Sequence, residues 1–132
     1  MIVLDASALT DWLLQTPARG PAVGERMRAA RSLHTLDLAS VEVLSALRRK
    51  LARRELDTAR TRLALADLAQ TRLRRHRATP LTDRIWALRA SHGAYDAAYV
   101  ALAEVLDAPL VTTDRRLARS HGHDAVIVDP ST

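Results

Sequence analysis

Ile2-Val3-Leu4-Asp5 and Leu110-Val111-Thr112-Thr113-Asp114 are the two stretches whose reading decides the fold. Each is a short apolar run rich in branched residues that closes on a carboxylate, the pattern of a buried strand. Ala125 to Val128, ahead of Asp129-Pro130, supplies a third strand and Leu33 to Leu36 a fourth. Helical patterns lie between them, over Ala8 to Gln15, Val23 to Arg31, Ala39 to Arg54, Thr58 to Thr71, Leu81 to Ser91, Ala94 to Leu106 and Arg115 to His121. The punctuation agrees: Thr79-Pro80 can open a helix, Gly93 stops one, and Asp114 can cap the last. Short strands alternating with helices predict an α/β fold with a parallel central sheet and helices on both faces. In such sheets ligands collect outside the carboxyl ends of the strands, and Asp5 and Asp114 are both placed there.

The chain has 132 residues, which fits one domain spanning 1–132. Hydrophobic residues make up 48% and charged residues 27%, far from the composition of a disordered chain. There is no cysteine, so disulfide scaffolds, thiolate zinc sites and cysteine nucleophiles are excluded, and a metal must be held by oxygen or imidazole. The apolar runs are far too short for a membrane span, and Met1 to Asp5 shows no export signal, so the expected compartment is the cytoplasm.

The net charge of +5 is unevenly spread. From Arg48 to Arg77 eleven Arg or Lys face three Asp or Glu, about +8, which leaves about −3 for the rest. A basic segment beside an acidic remainder suits a polyanionic partner, although a solvated arginine-rich face produces the same count.

Two further acids join the strand-end aspartates. In the Ala39 to Arg54 helix the apolar stripe is Val43, Leu44, Leu47 and Leu51, and Glu42 faces away from it with Ser45 and Ala46 where an ion-pair partner would stand. Asp96 opens the helix whose stripe includes Tyr95, Ala98, Tyr99 and Leu102, and Tyr99 and Val100 offer it no partner either. Each acid alone has an ordinary explanation, as a helix cap or a surface charge. Together they repel one another unless a cation neutralises them, and a hard divalent ion such as Mg²⁺ or Mn²⁺ prefers oxygen ligands of this kind.

Four segments now stand out: Val3-Leu4-Asp5-Ala6-Ser7, Val41 to Arg49, Tyr95 to Ala103, and Leu110 to Ala118. In their order and spacing the chain resembles the PIN-domain ribonucleases, and within them the VapC-like toxins of VapBC toxin–antitoxin pairs, over residues 2 to 129. The resemblance implies a three-layer α/β sandwich with an acidic pocket for Mg²⁺ or Mn²⁺. It implies that Asp5 and Asp96 are the principal metal ligands, that Glu42 and Asp114 complete the acidic pocket as further ligands and catalytic residues, and that Thr112 supports the pocket by hydrogen bonding. Arg115 and Arg116 stand where members of the family can carry a further acid, and are candidates to grip RNA. The implied reaction is hydrolysis of an RNA phosphodiester by a metal-activated water. An antitoxin protein covering a groove and a homodimer are implied as partners, with Trp12, Leu13 and Leu14 as candidate groove residues.

Other readings are weighed against this one. A phosphoryl-accepting signalling domain also gathers acids round Mg²⁺ but wants a lysine near the site, and the sole lysine, Lys50, lies in the basic helix. An inactive or DNA-directed binding module on the same fold gains no support, since all four acid positions are filled. His121-Gly122-His123 lacks an evident third ligand for a transition metal, and His34, His76 and His92 are scattered. With no Phe, two Trp and two Tyr there is little to stack bases on, and Tyr95 and Tyr99 are expected in the core.

Overall fold

A computed structural model describes residues 1–132. Five strands form one sheet: β1 (Ile2–Leu4), β2 (Leu33–Leu36), β3 (Arg74–His76), β4 (Leu110–Val111) and β5 (Ile127–Val128). Their spatial order is β3-β2-β1-β4-β5 and every neighbouring pair is parallel, with Val3 opposite His34 on one side and Leu110 on the other. Seven helices connect them: α1 (Ala6–Leu14), α2 (Arg19–Ala29), α3 (Ala39–Ala52), α4 (Thr58–Gln70), α5 (Thr82–Ala87), α6 (Ala94–Leu106) and α7 (Arg115–Ala118).

The chain leaves β1 toward β2 and β3, then returns past β1 to β4 and β5. Right-handed crossovers in opposite directions put α1 to α4 on one face and α5 to α7 on the other. The packing agrees, since α1 lies against α2, α3 and α4, while α6 lies against α5 and against β1, β2 and β4. The reversal of strand order falls between β1 and β4, and there a crevice opens at the carboxyl ends of the strands.

Local chemistry sets the element ends. Asp5, Asp57 and Asp114 cap α1, α4 and α7 by accepting from the N–H groups of Ala8, Arg60 and Arg116 at 2.9, 2.7 and 2.9 Å. Helix α6 is buried from Ala97 to Ala103, as suits a small-residue, apolar helix pressed against the sheet. Gly20 permits the close crossing of α2 over the end of α1: a Cβ there would lie 2.6 Å from the Asp11 carbonyl oxygen and 2.7 Å from Gln15 Cα.

Several sequence expectations need correction. The strand β3 is absent from the sequence reading because Arg74-Arg75-His76 has no apolar alternation; it is an edge strand that needs only backbone pairing with β2. The helix expected over Leu81 to Ser91 is a 3-10 turn at Thr79–Leu81 followed by the short α5. Leu44 and Leu51 are 48% and 39% exposed, so the buried side of α3 is narrowed to Ala39, Val43 and Leu47.

Candidate active site

Four segments remote in sequence line one cleft of about 730 Å³ at the switch in strand order. The cleft gathers Asp5 from the end of β1, Glu42 from the first turn of α3, Asp96 from the first turn of α6 and Asp114 from the turn after β4. All four acids singled out in the sequence therefore share its wall.

Asp5 is the most constrained. It is only 4% exposed, and its Oδ1 accepts from the Ala8 N–H at 2.9 Å and from the Ser7 hydroxyl at 2.7 Å. Its Oδ2 accepts from the Thr112 hydroxyl at 2.5 Å. The capping role and the cleft role thus fall on the same carboxylate, one oxygen closing the helix and the other held across to the β4 end. Burial pushes the Asp5 carboxyl up from 3.8 to about 6 and the nearby Asp96 charge adds to the rise, while the bonds from Thr112, Ala8 and Ser7 oppose it.

Glu42 is half-buried and its Oε1 accepts from the Tyr99 hydroxyl at 2.8 Å. Burial raises the Glu42 carboxyl above the usual range, the Tyr99 bond pulls against that, and Asp96 raises it further. Tyr99, buried in α6, is pushed far above its ordinary value by burial and by the Glu42 charge, so it remains a neutral donor. Asp96 is more open and Asp114 caps α7; both lie against the Arg116 guanidinium, at 2.9 and 3.5 Å.

Thr112 is fully buried. Besides donating to Asp5 its oxygen accepts from the Asp114 N–H at 3.0 Å and stands 3.1 Å from Ser7 Oγ, so one hydroxyl couples two of the acids.

Sequence reasoning missed the part that Ser7 plays: its hydroxyl donates to Asp5 Oδ1 and also accepts from the Thr113 N–H at 3.1 Å. It missed Asp11, a fifth acid on the cleft wall, which accepts from the Thr113 hydroxyl at 2.6 Å and lies 3.7 Å from Arg19. A signal was available, because Asp11 is a lone charge in an apolar helix with Leu14 and Gln15 at the ion-pair positions.

Arg19, Arg49 and Lys50 also line the cleft. Lys50, expected away from the site, therefore lies on its wall, carried there by the helix that bears Glu42. Arg115 is exposed at the start of α7, whereas Arg116, grouped with it as a candidate for gripping RNA, is engaged by the two aspartates.

Tyr99 is buried as expected, but Tyr95 is 65% exposed on the cleft wall. Leu13 is buried and Trp12 and Leu14 pack against the core; Trp12 and Leu13 border a separate cleft with Gly24 and Met27. His34, His76 and His92 are not scattered but paired: His34 Nδ1 lies 2.8 Å from His76 Nε2, and the His92 ring meets the His123 ring edge to face at 5.5 Å. None lines the acidic cleft.

The donor set is entirely oxygen, which fits Mg²⁺ or Mn²⁺ and not a thiolate or imidazole metal. No three acids stand as a ready-made cage, and each carboxylate has a partner within the protein: Thr112, Ser7, Tyr99 or Arg116. A hard ion that keeps several waters and takes only one or two carboxylates directly is compatible with that arrangement.

Comparison with known proteins gives a consistent result. Residues 2–121 match the family described as PIN domain. Ribonuclease VapC12 of Mycobacterium tuberculosis is 42% identical over 127 residues, covering 96% of this chain and 97% of its own length. Ribonuclease VapC9 of the same species is 43% identical, with 89% of each chain covered. Among solved structures, VapC20 of Mycobacterium tuberculosis, described as a sarcin-ricin loop cleaving toxin, aligns with a TM-score of 0.67 at 17% identity over 89% of this chain and 93% of its own.

Proposed function

The chain belongs to the PIN-domain family, among its VapC-like members, and from that premise we propose that it is a Mg²⁺- or Mn²⁺-dependent endoribonuclease, the toxin of a toxin–antitoxin pair. The observation that carries the reading is the convergence of Asp5, Glu42, Asp96 and Asp114 on one cleft in a chain more than 40% identical to proteins named ribonucleases.

Asp5 and Asp96 would hold the ion, with Glu42 and Asp114 positioned to orient water or complete its shell. A bound divalent ion supplies Lewis acidity and charge for the phosphate and lowers the proton affinity of water. The chain's own residues do the rest. Ser7, the Ala8 N–H and Thr112 fix the Asp5 carboxylate in a dry position, where its ionisation is deferred toward neutrality. Tyr99 aims the Glu42 carboxylate, and Asp11 anchors the Thr113 turn from which Asp114 projects. Arg19, Arg49 and Lys50 offer the RNA backbone a basic wall beside the acids, and exposed Arg115 lies just beyond. Without a stacking platform, recognition falls to backbone charge and RNA shape, so binding is salt-sensitive.

Val41, Leu44 and Tyr95 are 67%, 48% and 65% exposed; Val41 and Tyr95 flank the cleft mouth, and together the three offer apolar surface to an antitoxin protein. Action in the cytoplasm as a homodimer completes the reading. No helix is long and apolar enough to cross a membrane.

The test is sequencing of RNA ends after expression of the wild type and of Asp5→Asn, with cleavage of purified RNA followed in Mg²⁺, Mn²⁺ and EDTA. New ends in the wild type alone, lost in EDTA and in Asp96→Asn, are expected. RNA left intact by the wild type with metal, or cut equally by Asp5→Asn, refutes the reading.

A further inference from the structure

Asp96 and Asp114 share a cation that the chain itself provides. Arg116 Nη2 donates to Asp96 Oδ2 at 2.9 Å and lies 3.5 Å from Asp114 Oδ2. The seat is a product of the short α7: Asp114 accepts from the Arg116 N–H at 2.9 Å, so the residue whose amide completes the cap turns its side chain back across the cleft acids. The Arg116 side chain is 74% exposed, so packing does not hold it; the charge of the two carboxylates does. The other cations near the cleft have different partners: Arg19 lies 3.7 Å from Asp11, Lys50 lies 3.7 Å from Glu55, and Arg49 donates to Ser45 Oγ. Arg116 is the cation in contact with candidate metal ligands.

We propose that Arg116 is a resident counter-ion that competes with the divalent cation for Asp96 and Asp114 and thereby sets the metal affinity of the site. The inference rests on the reading that these acids serve a metal. A guanidinium hydrogen-bonded to Asp96 Oδ2 and a divalent ion on the same carboxylate repel each other at short range, so filling the site moves Arg116 off its partner. A long, exposed side chain moves without disturbing the core, so the competition costs affinity without blocking entry. Neutral Arg116 replacements leave Asp96 and Asp114 uncompensated in the metal-free protein, and the ion that replaces the guanidinium then binds against a more negative site.

The experiment is Mn²⁺ binding to the full chain without RNA, followed by the electron paramagnetic resonance of the free ion, on the wild type, Arg116→Gln, Arg115→Gln and Arg116→Lys. Arg116→Gln is expected to bind Mn²⁺ about five-fold or more tighter, the size of one unit charge removed at contact distance in a high dielectric. Arg115→Gln deletes the same charge one position away, from an exposed residue without an ion pair, and is expected to shift affinity less than about two-fold because of screening. Arg116→Lys, which keeps the charge and loses the planar fork, is expected between the wild type and Arg116→Gln. Unchanged or weaker binding by Arg116→Gln overturns the inference, as does an equal gain in Arg115→Gln, which reduces the effect to net charge. Asp5→Asn and Asp96→Asn are the separate arm. If either leaves Mn²⁺ binding intact, or the wild type shows no saturable binding, the metal-site reading itself fails and the inference falls with it.

Discussion

Replacing Asp5 by Asn should stabilise the metal-free protein at neutral pH while removing its activity. The carboxyl is buried and its ionisation is pushed up from 3.8 to about 6, chiefly by loss of water. A raised folded-state value means that the folded chain holds the proton more tightly than the unfolded chain. Below pH about 4 both states are protonated and there is no penalty; between about 4 and 6 the unfolded state ionises first and stability falls; above 6 the full penalty is present. A displacement of about two units corresponds to roughly 3 kcal/mol. Asparagine can still accept from the Ala8 N–H and Ser7 through Oδ1, while its amide donates to Thr112 Oγ1, whose proton can turn toward Ser7 Oγ at 3.1 Å. Allowing for one weakened bond, the expected gain at pH 7.5 in EDTA is about 1–3 kcal/mol, or roughly 3–10 °C in Tm for a domain of this size. The assay is thermal and urea unfolding of both proteins at pH 4, 5, 6 and 7.5. The difference should be near zero at pH 4 and grow through pH 6. A deficit in Asp5→Asn that does not change with pH would refute the reasoning, because it would make the carboxylate a structural cap and nothing more.

Three other outcomes are expected. Thr112→Val removes the donor to Asp5 and the acceptor of the Asp114 N–H, so the Asp5 carboxyl should move further above about 6 in a carboxyl-carbon NMR titration, with about 1–3 kcal/mol lost in urea unfolding. Gly20→Ala sets a Cβ against backbone atoms of Asp11 and Gln15 at 2.6 and 2.7 Å; backbone cannot give way as a side chain can, so about 2–3 kcal/mol should be lost, read as a lower urea midpoint at unchanged slope. Arg49→Gln and Lys50→Gln should each take about 0.7 off the slope of log K against log salt for single-stranded RNA, measured with Asp5→Asn so that the RNA survives; an unchanged slope would place the backbone path elsewhere.

The strands that carry acids were legible because each is an apolar run with a carboxylate at its end, and burial of the run fixes where the carboxylate emerges. Glu42 and Asp96 were legible through what they lacked, a charged neighbour one turn away. β3 was not, since Arg74, Arg75 and His76 join the sheet through backbone groups that carry no side-chain signature. Nor was the Arg116 bridge: its partners are 20 residues away and at the adjacent cap, and only the docking of α7 beside α6 brings them within reach. Tyr95 and Tyr99 share a helical face in the sequence, yet one is exposed and the other is buried, a difference that helical spacing alone does not carry.

The hydroxyl that steadies Asp5 lies 107 residues downstream of it. A polypeptide still emerging from a ribosome therefore displays Asp5 and Glu42 long before Thr112 and Asp114 have been joined to it. No half-made copy can assemble the mouth, and competence arrives in a single late event, when β4 docks beside β1. On the proposed function the chain is therefore inactive throughout its synthesis, an interval in which a neutralising companion can accumulate nearby.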